Sequence, residues 1–401
     1  MAQDALDSAY SWTRLGVAML IGTIGSVGMW SVVVVLPLVQ ADFGVARADA
    51  SLPFTLAMVG FAFGNVIMGR MADRFGIVFP ILCGGVSLGL GYAGAALAPN
   101  LWLFAAAHAL TGLGAATSFG PLIADTSHWF LRRRGIAVAL CASGNYIGGT
   151  VWPFIVQHFS TGAGWRPTYI GIGLFCIIAI LPLALALRRR PSLHNTTGDI
   201  VTVGGRGDLG LTPNALTVLL CIAGVACCVA MSMPQVHIVA YCGDLGYGVA
   251  RGAEMLSLMM GFGIISRVGS GFIADRFGGL ATLLLGSVLQ SVALGLYLGF
   301  DGLTSLYVIS ALFGLFQGGI VPSYAIIVRE YFSPQEAGTR LGVIIMGTVV
   351  GMAFGGWVTG FIFDLTGSYR AAFAHGIAWN LLNISIALWL LLRSSRRLAV
   401  A

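Results

Sequence analysis

The stretch "LMMGFGIISRVGSGFIADRFG", residues 258–278, decides the fold. It is an apolar, glycine-rich segment interrupted only by Arg267 before it ends in the polar sequence DRFG. A second copy, "LAMVGFAFGNVIMGRMADRFG", stands at residues 56–76. The two copies align without gaps at an offset of 202 residues, and nine of the 21 positions are identical. This repeat indicates two related halves, as in transporter folds that bind substrate near the bilayer midplane.

The composition is that of an integral helical membrane protein. Of 401 residues, 57% are hydrophobic and only 9% are charged, whereas soluble domains carry about a quarter charged residues. No charged residue lies between Arg74 and Asp125, or between Asp208 and Asp244. Each run is long enough for one or two spans of roughly 20 residues. The polar start, "MAQDALDSAYSWTR", has no signal-peptide pattern, and we expect a multi-pass protein of the inner (plasma) membrane.

Hydropathy predicts twelve transmembrane helices in two pseudo-symmetric six-helix bundles, with both termini cytoplasmic. The predicted spans are 13–38, 51–70, 77–97, 100–123, 135–158, 167–187, 214–236, 252–273, 279–299, 303–327, 338–362 and 371–392. The corresponding domains are a cytoplasmic tail at 1–12, a bundle at 13–187, a cytoplasmic linker at 188–213, a second bundle at 214–392 and a cytoplasmic tail at 393–401.

The basic residues support this topology. The chain has no lysine, and sixteen of its 21 arginines fall on the predicted cytoplasmic side. Arg47, Arg166, Arg251 and Arg370 fall on the other side, and Arg267 falls within the membrane. This is the positive-inside bias that orients membrane proteins. The net charge of +6 therefore reflects topology, and we expect no nucleic-acid partner.

The motif Gly-x-x-x-Asp-Arg-Phe-Gly occurs after the second span of each half and resembles the repeated loop motif of the major facilitator superfamily. The resemblance covers essentially the whole chain and implies a secondary transporter that works by alternating access. It also implies that the two motifs form a conformational latch at the cytoplasmic ends of the helices. The latch residues are Gly69, Asp73, Arg74, Gly271, Asp275 and Arg276.

Three local stretches are similar to one branch of that superfamily, the monocarboxylate transporters and oxalate:formate antiporters. They are "HWFLRRRGIAVAL" at 128–140, "MPQVHIVAYCGDLGYG" at 233–248 and "SRVGSGFIADR" at 266–276. In that branch, an arginine four residues before the motif glycine binds the substrate carboxylate. Arg267 stands four residues before Gly271, so the resemblance implies this role for Arg267.

Physical chemistry favours the same role. Arg267 lies about 12 Å from Asp275 along a helix, which is too deep for easy snorkelling. An unpaired buried guanidinium costs several kcal/mol, and the predicted spans hold no Asp or Glu near the midplane. A substrate carboxylate, bound bidentately, is the natural partner. The alternative is a structural arginine bonded to backbone carbonyl groups.

Other polar and aromatic residues of the spans are candidates for a small site with aromatic walls. Each of them, taken alone, is more often a packing residue than a binding residue. The substrate-binding candidates besides Arg267 are His237, Asn145, Tyr146, Phe119, Phe316, Gln317, Tyr324 and Trp30. His237 and His108 are also candidates for proton coupling, because histidine titrates near neutrality; an interfacial or structural histidine is the alternative at both positions.

Two departures from the branch leave alternatives open. Antiporters of the oxalate type carry a lysine in the eleventh span, and this chain has none, so a monovalent anion is favoured. Proton-coupled members carry an aspartate where this chain has Gly263, so symport, exchange and uniport all stay open. The expected substrate is a small monocarboxylate such as lactate or pyruvate; an oxalate:formate-type exchanger and a drug or metabolite exporter are the alternatives.

An enzyme is disfavoured because the six histidines are scattered and match no catalytic or metal site. No P-loop is present. We expect no cofactor and no metal, and a monomer in the lipid bilayer.

Overall fold

The structure, a computed structural model, describes residues 6–130, 133–189 and 209–398, and every regular element there is an α-helix. The predicted all-α class is therefore confirmed. The helices are α1 (Ala9–Gly25), α2 (Val27–Phe43), α3 (Arg47–Phe75), α4 (Val78–Ala96), α5 (Leu101–Ala116), α6 (Gly120–Ser127), α7 (Arg134–Ala163), α8 (Trp165–Ala186), α9 (Pro213–Asp244), α10 (Val249–Phe277), α11 (Gly279–Gly299), α12 (Leu303–Gln317), α13 (Ile320–Tyr331), α14 (Pro334–Thr366) and α15 (Tyr369–Leu398).

Twelve helical segments match the twelve predicted spans. Three of these segments are interrupted, so that each consists of two helices: α1 and α2, α5 and α6, and α12 and α13. Eleven segments are long and apolar enough to cross a membrane. The twelfth is α7, which has 30 residues but a sequence diluted by Gly, Ser, Thr and Asn.

Several helices extend beyond the predicted spans, because hydropathy detects only the apolar part of a helix. The segment predicted at 214–236 is Pro213–Asp244, and the one at 338–362 is Pro334–Thr366. Helix α15 continues to Leu398, through most of the predicted tail at 393–401. Residues 190–208 lie outside the described residues and hold most of the predicted linker, so the domain boundaries stay a prediction.

The breaks in the fourth and tenth spans share one cause. Helix α6 begins with Gly120-Pro121, and α13 carries Pro322 as its third residue. Proline has no N–H and its ring clashes with the carbonyl four residues earlier. Those earlier residues are Thr117 and Gly318, which lie in the breaks themselves. The two halves of the chain therefore interrupt equivalent helices by the same device.

The chain divides into two compact units. Unit 1 contains Met1–His194 and Val236–Gly261, and unit 2 contains Asn195–Gln235 and Phe262–Ala401. In unit 1, α3 and α5 pack backbone to backbone, and a Cβ on Gly112 would overlap the Ala57 carbonyl oxygen. In unit 2, Gly351 and Gly355 of α14 pack closely on Val225 and Val229 of α9. Small residues that allow such close approach are typical of helix packing in membranes.

The four arginines predicted on the non-cytoplasmic side are all paired with carboxylates. The most buried is Arg47, only 6% exposed, whose two terminal nitrogens donate to both oxygens of Asp244 at 3.0 and 3.1 Å. The other pairs are Arg166–Asp42, Arg251–Glu254 and Arg370–Asp301. These arginines stabilise helix ends, so their charges are explained without a ligand.

Candidate functional site

In unit 1, the equivalent of Arg267 in the repeat is Asn65, and Asn65 is fully engaged with its own bundle. Its Nδ2 donates to the Phe61 carbonyl oxygen at 2.8 Å. Its Oδ1 accepts from the Gly120 N–H at 3.2 Å. Gly120 is the first residue of α6, where N–H groups have no partner inside the helix. Asn65 therefore closes the break between α5 and α6.

In unit 2, the corresponding break between α12 and α13 lies directly against α10. A Cβ on Gly318 would overlap the Gly263 carbonyl oxygen and lie 2.8 Å from Ser266 Cβ. A Cβ on Gly319 would contact Ser270. The turn of α10 from Ser266 to Ser270 thus packs on the break, and Arg267 belongs to that turn.

Arg267 is deep in its helix. It lies 18 residues after Val249 and 10 residues before Phe277, about 27 Å and 15 Å along the axis. Arg267 is part-buried, and its backbone carbonyl oxygen accepts a hydrogen bond from Ser270 Oγ at 3.0 Å. The acidic residues described in unit 2 all lie at helix ends or in a loop: Asp275, Asp301, Glu330, Glu336 and Asp364.

Two buried amides lie at the same break. Gln317 is the last residue of α12 and is 0% exposed, and Gln235 of α9 is 2% exposed. The Gln235 Nε2 donates to the Gln317 Oε1 at 2.8 Å. Gln317 is one of the substrate-binding candidates named from the sequence, and that role stays a prediction. Sequence reasoning missed Gln235, although a glutamine in so apolar a segment as residues 215–243 is itself a signal.

Unit 1 places two of the sequence candidates, Trp30 and Asn145, at the contact between α2 and α7. A Cβ on Gly149 of α7 would lie 3.0 Å from Trp30 Nε1 of α2 and 2.8 Å from Met260 Cγ of α10. Asn145, one turn earlier in α7, has its Nδ2 3.5 Å from the sulfur of Met29. Tyr146 is also buried, at 9% exposure. Asn145 and Gly149, one turn apart on α7, therefore face α2 at Met29 and Trp30.

His237 is inside α9, since that helix continues seven residues beyond it to Asp244. Its residue is 1% exposed, so the alternative of an interfacial histidine facing water is wrong. The reason is that Pro234 does not end the helix, as prolines within transmembrane helices often do not.

His108 is fully buried in an aromatic cluster of unit 1. Its Nδ1 lies 2.9 Å from the Phe104 carbonyl oxygen, and its Nε2 lies 3.3 Å from the Tyr169 Oη. The rings of Phe104 and Tyr169 also contact it. Both ring nitrogens have partners within the bundle, as in a structural histidine.

The aromatic candidates of the fourth and tenth spans differ in their surroundings. Phe119 lies in the α5–α6 break and packs against Phe61, with ring centroids 6.0 Å apart. Phe316 is part-buried beside Gln317. Tyr324 is fully buried in the core of unit 2, where its Oη donates to Cys227 Sγ at 3.5 Å and Asn383 Oδ1 at 3.4 Å. The structure thus separates Tyr324 from the break.

Three features that favour anions lie near the α12–α13 break. A fixed cation, a helix N-terminus and a buried amide pair lie on neighbouring turns, and positive helix ends favour carboxylates. Among residues 6–130, 133–189 and 209–398, no three His, Cys, Asp or Glu side chains group as metal ligands.

Comparisons with known proteins agree with this architecture. The sequence profile of the Major Facilitator Superfamily matches residues 18–297 and 255–400, essentially the whole chain. The chain belongs to the Major Facilitator Superfamily. It is a multi-pass membrane transporter and not an enzyme.

Two curated superfamily members resemble the chain along most of its length. Monocarboxylate transporter 13 of Bos taurus is 26% identical over 365 residues, covering 89% of this chain and 82% of that protein. Monocarboxylate transporter 13 of Rattus norvegicus is 28% identical over 372 residues, with the same coverage. Among solved structures, a point mutant of the nucleoside transporter NupG superposes with a TM-score of 0.76 at 12% identity, covering 94% of this chain and 99% of that one. This likeness shows the fold.

The superfamily loop motifs are on the helix ends, and their aspartates and arginines are exposed. Within the described part of the chain, neither Asp73 nor Asp275 makes a hydrogen bond or ion pair. A carboxylate at a helix end can accept an N–H group from the start of a neighbouring helix. In unit 2 that contact is made by Glu330, whose two carboxylate oxygens lie 3.1 Å from the Gly279 N–H at the start of α11. The latch role stays a prediction.

Proposed function

We propose that the protein transports a small monocarboxylate across the plasma membrane by alternating access, and that Arg267 binds the substrate carboxylate. The observation that carries the proposal is the placement of Arg267: a permanent cation in the middle of a membrane helix, on the turn that packs against the α12–α13 break. Ionisable residues at such depth are costly and are most often functional.

The surroundings of Arg267 support a monovalent anion. The guanidinium is the one cation that the sequence puts in the interior of a span, and its planar fork matches a carboxylate bidentately. The N-terminus of α13 adds a partial positive charge at the same place. The two relatives named monocarboxylate transporter 13 also support this substrate class for a chain with a repeat-based transporter fold.

Residues of unit 1 belong to the proposal as separate contributors. Trp30, Asn145 and Tyr146 supply buried aromatic and amide groups suited to a small organic acid. His237 is the preferred candidate for proton coupling, because it is buried inside α9, about two turns before the helix ends at Asp244. His108 holds both ring nitrogens within its own aromatic cluster. A single subunit contains all of these residues, so a monomer is sufficient.

The test is uptake into proteoliposomes of labelled lactate, pyruvate, formate, oxalate and benzoate, with and without an inward proton gradient. Arg267→Gln is measured beside wild type, and Arg329→Gln is the matched control because Arg329 is exposed at the end of α13. The proposal expects saturable uptake of at least one monocarboxylate that only Arg267→Gln abolishes. Equal uptake by Arg267→Gln and wild type, or no uptake of any acid, contradicts it.

Proton coupling is decided in the same assay. If the gradient accelerates uptake, His237→Gln removes that acceleration and His108→Gln leaves it in place. Acceleration that survives His237→Gln contradicts the assignment of His237.

A further inference from the structure

The amide pair Gln235–Gln317 has hydrogen-bonding capacity that its own unit does not use. Both side chains are at least 98% buried, and they share one bond, from Gln235 Nε2 to Gln317 Oε1. Within the described residues, Gln235 Oε1 and Gln317 Nε2 have no hydrogen-bond partner. If the oxygen and nitrogen positions of both amides are exchanged, Gln317 becomes the donor and Gln235 the acceptor of the shared bond. One amide oxygen and one amide N–H group then still lack a partner.

Two buried asparagines of unit 2, in contrast, have their amide groups bonded within the fold. Asn380 Nδ2 donates to the Ser287 carbonyl oxygen at 2.7 Å and to Ser291 Oγ at 2.9 Å. Asn383 donates to Ser287 Oγ and accepts from Tyr324 Oη. Leaving a buried polar group unbonded is unfavourable. Apolar side chains at positions 235 and 317 would avoid this cost of burying unbonded polar groups. The unbonded donor and acceptor therefore indicate that a polar group of a bound ligand completes their hydrogen bonds.

The pair is next to the proposed carboxylate site. Gln317 is followed directly by Gly318 and Gly319, which pack on Gly263, Ser266 and Ser270 of α10. Arg267 is the residue after Ser266. The amide pair and the turn of α10 that carries Arg267 therefore lie at the same helix break.

A hydroxyl group is the complement of a free donor beside a free acceptor. Its O–H can donate to one amide oxygen while its oxygen accepts from the other amide N–H. A keto oxygen can only accept, and a methylene group can do neither. We propose that Gln235 and Gln317 form a subsite that binds a hydroxyl next to the substrate carboxylate, so that the transporter selects 2-hydroxymonocarboxylates over the keto and unsubstituted acids of the same length. This inference rests on the proposed function and deepens it.

The test compares kcat/KM for lactate, pyruvate and propionate in proteoliposomes, since these acids share a three-carbon skeleton. Wild type is expected to prefer lactate over propionate by about 10–100-fold, because propionate leaves the pair without partners. In Gln235→Leu/Gln317→Leu, which removes both amides together, the preference is expected to fall to about threefold or less.

Gln290→Leu is the matched control. Gln290 is a third fully buried glutamine of unit 2, and it donates to the Cys227 carbonyl oxygen at 3.2 Å with its Oε1 unbonded among the described residues. It lies in the middle of α11, a helix that does not include the break. Its variant should keep the lactate preference of wild type. Loss of the preference in this control to the same degree as in the double variant overturns the proposal.

Two further outcomes are distinguishable. A double variant with the wild-type lactate-to-propionate ratio, while Arg267→Gln still abolishes uptake of both acids, overturns the hydroxyl subsite and leaves the carboxylate transporter intact. Absence of any saturable monocarboxylate uptake in wild type overturns both. If the double variant does not fold, wild type alone decides: equal kcat/KM for lactate and propionate overturns the subsite.

Discussion

The breaks in the fourth and tenth spans, α5–α6 and α12–α13, have the same origin but are completed differently. In unit 1, the break before α6 is closed by the side chain of Asn65, which binds the Gly120 N–H and the Phe61 carbonyl oxygen. In unit 2, the residue at the equivalent position in the repeat is Arg267, and the break before α13 carries the buried amides of Gln235 and Gln317. The first copy of the repeat therefore closes its break with its own side chain, while the second copy carries the proposed anion site.

The comparison teaches what a single substitution does in a repeated scaffold. An asparagine presents an acceptor and a donor that its own backbone can satisfy. An arginine at the same place presents only donors and a full positive charge, so the site then favours an external carboxylate. One side-chain difference between two similar helices therefore distinguishes the α5–α6 break, which is closed by Asn65, from the α12–α13 break, which we propose binds substrate.

The largest effect on uptake is expected when Arg267 is replaced by asparagine, the residue type found at the equivalent position of the first repeat. Arg267→Asn removes the cation and should reduce the initial rate of monocarboxylate uptake by at least about 100-fold, because charge-assisted bonds to a buried carboxylate are lost. Arg267→Lys keeps the charge but not the bidentate geometry and should retain about a tenth of the rate or less. The measurement is uptake into proteoliposomes at matched protein content.

Arg329→Asn, on the exposed end of α13, is the control for this change and should transport like wild type. Wild-type rates in Arg267→Asn would show that the two copies do not differ in function, which would remove the basis of the comparison.

An intermediate effect is expected from filling the close contact at the second break. Gly318→Ala places a methyl group against the Gly263 carbonyl oxygen and Ser266, so α10 and its arginine must shift. Overpacking of this kind costs about 1–3 kcal/mol, and we expect about tenfold slower uptake with a lowered thermal unfolding midpoint.

The matched variant is Gly269→Ala on the same helix, where a Cβ has no neighbour within 4 Å. Both glycines are in helical or near-helical backbone, so the two variants differ mainly in the room available for the added methyl group. Equal uptake by Gly318→Ala and Gly269→Ala would contradict the close packing of α10 on the break.

A smaller effect on transport, with a clear effect on stability, is expected at the first break. Asn65→Leu leaves the Gly120 N–H without its acceptor, a loss of about 1–3 kcal/mol for a part-buried group. The thermal unfolding midpoint, followed by tryptophan fluorescence, should fall by several degrees, while KM stays within about twofold of wild type. A tenfold rise in KM at unchanged thermal stability would assign substrate binding to unit 1 at this position.

The smallest effect is expected in the core of unit 2. Tyr324→Phe removes hydrogen bonds to Cys227 and Asn383 and should lower the free energy of unfolding by about 0.5–1.5 kcal/mol. Because Tyr324 lies in the core and not at the break, KM for the monocarboxylate should not change. A KM shift of fivefold or more would instead place its hydroxyl group in the binding site.

The fold was largely predictable from the sequence, whereas the arrangement of the site was not. Low charge, long apolar runs and the repeat at an offset of 202 residues are sufficient for a helical transporter with two halves. Helices that are apolar on every side show no periodicity that tells a core face from a binding face. The hydroxyl of Tyr324 therefore could not be assigned to the core from sequence.

The amides and the histidine illustrate two other limits. Gln235 and Gln317 are 82 residues apart in sequence, and only the packing of α9 on α12 shows that they share a bond. His237 could not be placed because hydropathy ended its helix near residue 236, whereas the helix continues to Asp244. Arg267 was different, since a cation within an apolar segment is a signal that needs no tertiary information.

Equilibrium binding of labelled lactate to the purified protein in detergent tests the central claim most directly, because binding separates recognition from the conformational steps of transport. Wild type, Arg267→Gln and Arg329→Gln would be titrated side by side. We predict that Arg267→Gln raises Kd by at least about 30-fold, consistent with loss of a charge-assisted bidentate bond, and that Arg329→Gln leaves Kd unchanged. Binding of lactate by Arg267→Gln with the wild-type Kd would contradict the account.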